Sequence, residues 1–142
     1  MRFMAIVAAA CLLTSPVAAE VHEVKMLTRG DAGAMVYEPA YLEIAPGDTV
    51  QFIAAQGGHN AASIDGFVPS GYAGFKGQIN EEIRITLDQP GFYGVKCSPH
   101  FAMGMVMLIR VGETDVARPE LPADLPQRAK ARFDDILEDL GQ

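Results

Sequence analysis

Through most of Glu20 to Val111, apolar and polar residues alternate one by one, and Gly and Pro interrupt the pattern. That period sets the fold class, because successive side chains on a strand point to opposite faces. Val50, Phe52 and Ala54 alternate with Thr49, Gln51 and Ile53, behind the turn signal Pro46-Gly47-Asp48. Leu42 and Ile44 alternate with Tyr41 and Glu43, and Ile83, Ile85 and Leu87 with Glu82, Arg84 and Thr86. A Pro90-Gly91 turn then leads into Phe92 to Cys97. Helical spacing does not fit these segments. Several short strands separated by turns predict an all-β antiparallel sandwich or barrel.

The character changes after Gly112. Pro119 to Pro126 reads as a stiff connector, and beyond it Ala129, Phe133, Ile136 and Leu140 fall on one helical face. Asp124 is the expected cap and Gly141 the expected stop. An exposed stripe of that kind would invite association, so residues 113–142 are expected to pack on the β domain as a short α-helical extension.

At the other end, Arg2 precedes an apolar run from Phe3 to Leu13, then Pro16 and the small residues Val17-Ala18-Ala19. This layout predicts a signal peptide over residues 1–19, cleaved after Ala19, and an exported mature chain with its β domain over 20–112. The apolar run is too short to span a bilayer and no later segment qualifies, so no membrane partner is expected. The net charge of −7, with no basic cluster, argues against nucleic acid. Cys11 leaves with the signal, and Cys97 remains as a lone thiol in an oxidising compartment. Such a thiol is either buried or bound to a metal.

The stretch CSPHFAMGM, Cys97 to Met105, gathers a thiol, an imidazole and a thioether. Tyr93, Val95 and Cys97 share one strand face; Met105, Met107, Ile109 and Val111 share another, opposite Val106, Leu108 and Arg110. Arg110 marks the outer set, so Cys97 and Met105 point inward and meet at one end, under a loop centred on His100. A second histidine would complete a metal site. His59 follows Gly57-Gly58, which allows a sharp turn, whereas His22 lies near the mature N-terminus, where a fixed geometry is hard to hold. Two imidazoles, a thiolate and a thioether suit both Cu(I) and Cu(II), which is the ligand chemistry of blue-copper electron transfer. Zinc would want a fourth strong ligand or an open position for water. A thiol hydrolase using Cys97 and His100, with Asn60 as orienter, would need an exposed thiolate and a pocket. Any one of the four residues could be ordinary core or surface.

With GHN at Gly58 to Asn60, KC-x-PH-x-AMGM from Lys96 and EPAY…PGDTV from Glu38, the chain resembles the cupredoxins, the type 1 blue copper proteins. The resemblance covers nearly all of the mature chain. It implies an eight-stranded Greek-key sandwich with one copper ion at one end, held by His59, Cys97, His100 and Met105, followed by C-terminal helices. It implies a monomeric periplasmic carrier of single electrons rather than an enzyme, taking electrons from c-type cytochromes and passing them to a denitrification reductase such as copper nitrite reductase. Asn60 corresponds to an asparagine that ties the two ligand loops, and Pro99 offers the thiolate no N–H. Met35, Pro99 and Met103 would form the apolar docking patch around His100, with Arg29, Lys76 and Lys96 nearby. Gly57 and Gln78 fall where lysines are common, and Lys25 where some members have histidine, so the steering charge is thinner. The alternative is a periplasmic copper-sequestering or copper-delivery protein, against which the inward direction of Cys97 and Met105 counts.

Overall fold

The alternating segments form strands in the computed structural model, which describes residues 17–141. The expected signal peptide, including Cys11, falls almost wholly outside the described residues. The described strands are β1 (Val21–Gly30), β2 (Gly33–Glu38), β3 (Tyr41–Ile44), β4 (Asp48–Ile53), β5 (Ala62–Ser63), β6 (Ile83–Leu87), β7 (Gly91–Lys96) and β8 (Val106–Val111). A 3₁₀ segment, Ser98–Met103, joins β7 to β8, and one α-helix, α1 (Gln127–Leu140), follows. Among the described residues no helix is long and apolar enough to cross a membrane.

The strands make two four-stranded sheets, ordered β2-β1-β4-β6 and β3-β8-β7-β5. The eight strands in two sheets are as expected, but the antiparallel reading is corrected for two pairs: β1 pairs β4 in parallel, and β3 pairs β8 in parallel. The cause is the path of the chain. It leaves β2 for β3 in the other sheet and returns to β4 beside β1, and local alternation carries no record of such a crossing. Between the sheets lie Val24, Met26, Tyr37, Val50, Phe52, Leu87, Tyr93 and Val95 with Met107, Ile109 and Val111, all buried. Val50, Phe52, Leu87, Tyr93, Val95, Met107, Ile109 and Val111 belong to the sets that the alternation defines, and Val24, Met26 and Tyr37 join them from β1 and β2.

The outward set of β8 is buried too. Val106 and Leu108 are fully covered by α1, packing with Phe67, Ala129, Phe133, Ile136 and Leu137 in a second cluster. Arg110 alone on that face reaches solvent, paired with Glu43 at 3.4 Å and lying over the Phe92 ring. Two details of α1 differ from expectation. Its N-cap is Pro126, and no side chain caps it. Asp124 lies two residues before the cap, too early to reach the first free N–H groups. Leu137, four residues after Phe133, carries the last buried contact, while Leu140 in the final turn is 43 % exposed. Gly141 does end the helix, donating to the Glu138 carbonyl.

The start of β1 is pinned by a buried carboxylate. Asp48 accepts from the Glu20 and Ala45 backbone N–H groups at 2.9 and 3.1 Å and meets His22 Nε2 at 2.9 Å. His22 is therefore held firmly, contrary to expectation, because parallel pairing with β4 places it beside Asp48. The Glu20 N–H, then His22, hold the Asp48 carboxyl below its usual range against the opposing effect of burial.

A depressed folded-state pKa means that ionised Asp48 stabilises the fold above the unfolded value of about 3.9. That stability drains away as pH falls through the lower folded value. In urea unfolding followed from pH 7 towards pH 3, Asp48→Asn should be less stable than the parent at pH 7, and the difference should narrow at the acid end. In the same assay Phe133→Ala should cost about 3–5 kcal/mol. Leu140→Ala should stay within about 0.5 kcal/mol of the parent.

Candidate metal centre

His59, Cys97 and His100 come together at one end of the sandwich. β4 leads into a loop in which Gly58 adopts φ +92°, a conformation suited to glycine, and this turns His59 inward until it is 1 % exposed. Cys97 immediately follows β7 and Met105 immediately precedes β8, and both are fully buried. The Cys97 N–H donates to the Met105 carbonyl at 3.0 Å, and the Met105 N–H donates to the His100 carbonyl at 3.1 Å. The loop thus closes on itself with half-buried His100 at its outer edge. Gly104 at the turn has φ +88°, and a Cβ there would lie 2.9 Å from the Arg128 carbonyl of α1. The helix backbone approaches so closely that only glycine fits.

The two loops are joined by Asn60, which is 2 % exposed. Its Oδ1 accepts from the Ser98 N–H at 2.7 Å, and its Nδ2 donates to the Gly77 carbonyl at 2.9 Å and to Ser98 Oγ at 3.1 Å. The Tyr37 hydroxyl donates to the Asn60 carbonyl at 2.7 Å.

The donor atoms face one another. His59 Nδ1 lies 3.2 Å from His100 Nδ1, and Cys97 Sγ lies 3.8 and 3.5 Å from these two nitrogens. His59 Nε2 is engaged by Thr28 Oγ1 at 2.9 Å, which leaves Nδ1 as the ligand atom. Ligands about 2.0–2.3 Å from one ion and spread around it lie roughly 3–4 Å apart, so the three atoms fit a single cation. Burial, then the neighbouring His100, pushes the His59 pKa down and keeps its imidazole neutral, as metal binding requires. Burial pushes the Cys97 thiol up, and the Asn60 and His100 N–H groups pull it partly back. Without a cation this sulfur is a poor thiolate, which disfavours the hydrolase reading. Two imidazoles, a thiolate and a buried thioether suit copper.

Pro99, next to His100, is exposed, Met103 is 42 % exposed, and Met35, which shares a groove with Met103, is half-buried. Lys76 and Lys96 line one shallow pocket with Ser98, and Lys96 Nζ sits 5.1 Å over the Phe101 ring. Arg29 is exposed, next to Thr28. Sequence reasoning missed the contribution of α1: Met35, Met103, Arg128, Ala131 and Arg132 line one groove. Arg132 Nη1 donates to the Met35 carbonyl at 3.1 Å. Arg128 and Arg132 lie one turn apart on α1, and a contact that spans the chain leaves no local signal in the sequence.

Asn60→Ala should lower stability by about 1–3 kcal/mol, since it leaves the Ser98 N–H and the Gly77 carbonyl without their partner. Urea unfolding of the metal-free protein measures this, and an unchanged midpoint would mean that these ties carry no weight.

Comparison with known proteins gives a consistent picture. Residues 24–112 match the family described as copper binding proteins, plastocyanin/azurin family. A pseudoazurin of Paracoccus pantotrophus is 44 % identical over 136 residues, covering 92 % of each chain. A putative pseudoazurin of Rhizobium leguminosarum bv. viciae is 43 % identical over 137 residues, covering 94 % of this chain and 90 % of the other. Among solved structures, the pseudoazurin of Methylobacterium extorquens AM1 superposes with a TM-score of 0.74 at 35 % identity, covering 84 % of this chain and 98 % of that one.

Proposed function

This chain belongs to the plastocyanin/azurin family of copper-binding proteins and groups with its pseudoazurins, and from that premise we propose a periplasmic carrier of single electrons. It is a blue copper electron-transfer protein. His59, Cys97, His100 and Met105 would hold the copper, with the Met105 thioether as the weakest donor. It places the mature N-terminus at Glu20, the copper domain at residues 20–112 and a bracing extension at 113–142. Electrons arrive from a c-type cytochrome and leave to a denitrification reductase such as copper nitrite reductase. The protein works as a monomer and turns over no substrate of its own.

The observation that carries this reading is the meeting of two imidazole Nδ1 atoms and the Cys97 sulfur in a buried apolar end. Copper bound there supplies a Cu(I)/Cu(II) couple. His59 and Cys97, both buried, keep water out. Asn60 and the closed Cys97–Met105 loop hold the donors in place, so little has to move between oxidation states. His100 lies at the outer edge and offers the way out for an electron. Pro99, Met103 and Met35 give an adaptable apolar contact, suited to small and short-lived encounters. Arg29, Lys76 and Lys96 sit where they would favour a partner with an acidic rim.

The copper-sequestering reading uses the same ligands but needs ready release, which a fully buried Cys97 opposes.

Met105→Gln should keep copper and shift the reduction potential, measured by voltammetry, and an unchanged potential would remove Met105 from the ligand set. Met103→Glu should leave the visible spectrum intact and slow electron delivery to copper nitrite reductase by about tenfold, through an unpaired charge at the contact. Stopped-flow mixing measures this. A rate equal to the parent's would reject the docking face, and no transfer by the parent would reject the acceptor.

A further inference from the structure

At the start of β1, six residues before Thr28 reaches the copper centre, His22 belongs to a second cluster of potential metal ligands. Ligand atoms of Glu20, His22 and Asp48 lie within 4.8 Å of one another. Asp48 Oδ1 accepts from the Glu20 backbone N–H, and Asp48 Oδ2 meets His22 Nε2, both at 2.9 Å. Cleavage after Ala19, the processing proposed above and on which this inference rests, changes the chemistry of the cluster. The Glu20 nitrogen becomes a free α-amine, and His22 becomes the third residue of the chain.

We propose that the processed N-terminus, Glu20-Val21-His22, is a second metal site, selective for Cu(II) or Ni(II). The donors are the Glu20 amine, the Val21 and His22 amide nitrogens and His22 Nδ1. With imidazole at the third residue, these nitrogens close small fused rings around one ion and set a square-planar field, the geometry that suits those two metals. Only Nδ1, the ring nitrogen nearer the backbone, can close a ring with the residue's own amide. The structure leaves that atom available, since Asp48 already engages Nε2. A carboxylate on the far ring nitrogen is the usual support for a metal-bound histidine.

Binding requires the α-ammonium and both amides to give up a proton each. It also requires the first rungs of β1, Val21 with Thr49 and His22 with Val50, to open. Opening gives up the bond from the Glu20 nitrogen to Asp48 and the bond from the Thr49 N–H to the Glu20 carbonyl, but Glu20 is exposed and Val21 is 53 % exposed, so it uncovers little apolar surface. Asp48 therefore has two states: it clamps amine and imidazole when the metal is absent, and supports the imidazole alone when it is bound. Its bond from the Ala45 N–H can persist in both.

The test uses protein that begins at Glu20, loaded with one equivalent of copper and reduced to Cu(I), which leaves the terminal nitrogens free, and titrates it with Ni(II), followed by the absorption of the square-planar chelate. One equivalent should bind. Retaining Ala19, which moves His22 to the fourth place without removing any side chain, should abolish that chelate, as should His22→Gln. No Ni(II) chelate in the chain that begins at Glu20, or an equal one in the chain that keeps Ala19, overturns the site. Intact mass of the exported protein separates the two premises: a terminus other than Glu20 overturns the natural site through the processing, whatever the titration gives.

Discussion

The copper end depends on one buried amide. Asn60 holds the Ser98 N–H at 2.7 Å and the Gly77 carbonyl at 2.9 Å, and so fixes the loop after β7 against the loop after β4. His59 precedes Asn60 and Cys97 precedes Ser98, so these bonds set the separation of two ligands directly. A buried amide with unmet partners would be costly, so the position of each loop is tied to that of the other.

Such a frame is needed because the donor cluster is unfavourable by itself. Two imidazole nitrogens face each other at 3.2 Å beside a buried thiol whose pKa burial has raised. Hydrogen bonds within that group do not by themselves fix the spacing a cation needs, so the surrounding structure must. The sandwich core supports Cys97 and Met105 from beneath. From outside, α1 presses its backbone against Gly104 and holds the Met35 carbonyl through Arg132. The helix thereby links the apolar cover of β8 to the shape of the face around His100.

How much of this was legible follows from where each signal resides. Alternation placed Val50, Phe52, Tyr93, Val95, Met107 and Ile109 in the core, because a strand's period is local. The meeting of His59 with Cys97 and His100 was legible through strand direction and the family motifs, and Asn60 through its place beside His59. The parallel pairs β1·β4 and β3·β8 were not, since sheet crossings leave no mark on a strand's own pattern. His22 looked unanchored because its anchor, Asp48, is distant in sequence. Pro126 displaced the cap expected at Asp124, and the last buried position fell at Leu137, because both depend on where the helix meets the sheet. The Arg132–Met35 contact spans the chain and had no local signature.

The central claim is that the Cys97 sulfur binds copper in a reversible one-electron site. The most direct test is the visible spectrum of the chain from Glu20 to Gln142 after addition of Cu(II). An intense thiolate-to-copper band that bleaches with ascorbate, returns on oxidation and is lost in Cys97→Ser is the predicted result. A correctly folded protein that stays colourless, or a Cys97→Ser variant that turns blue, would contradict it.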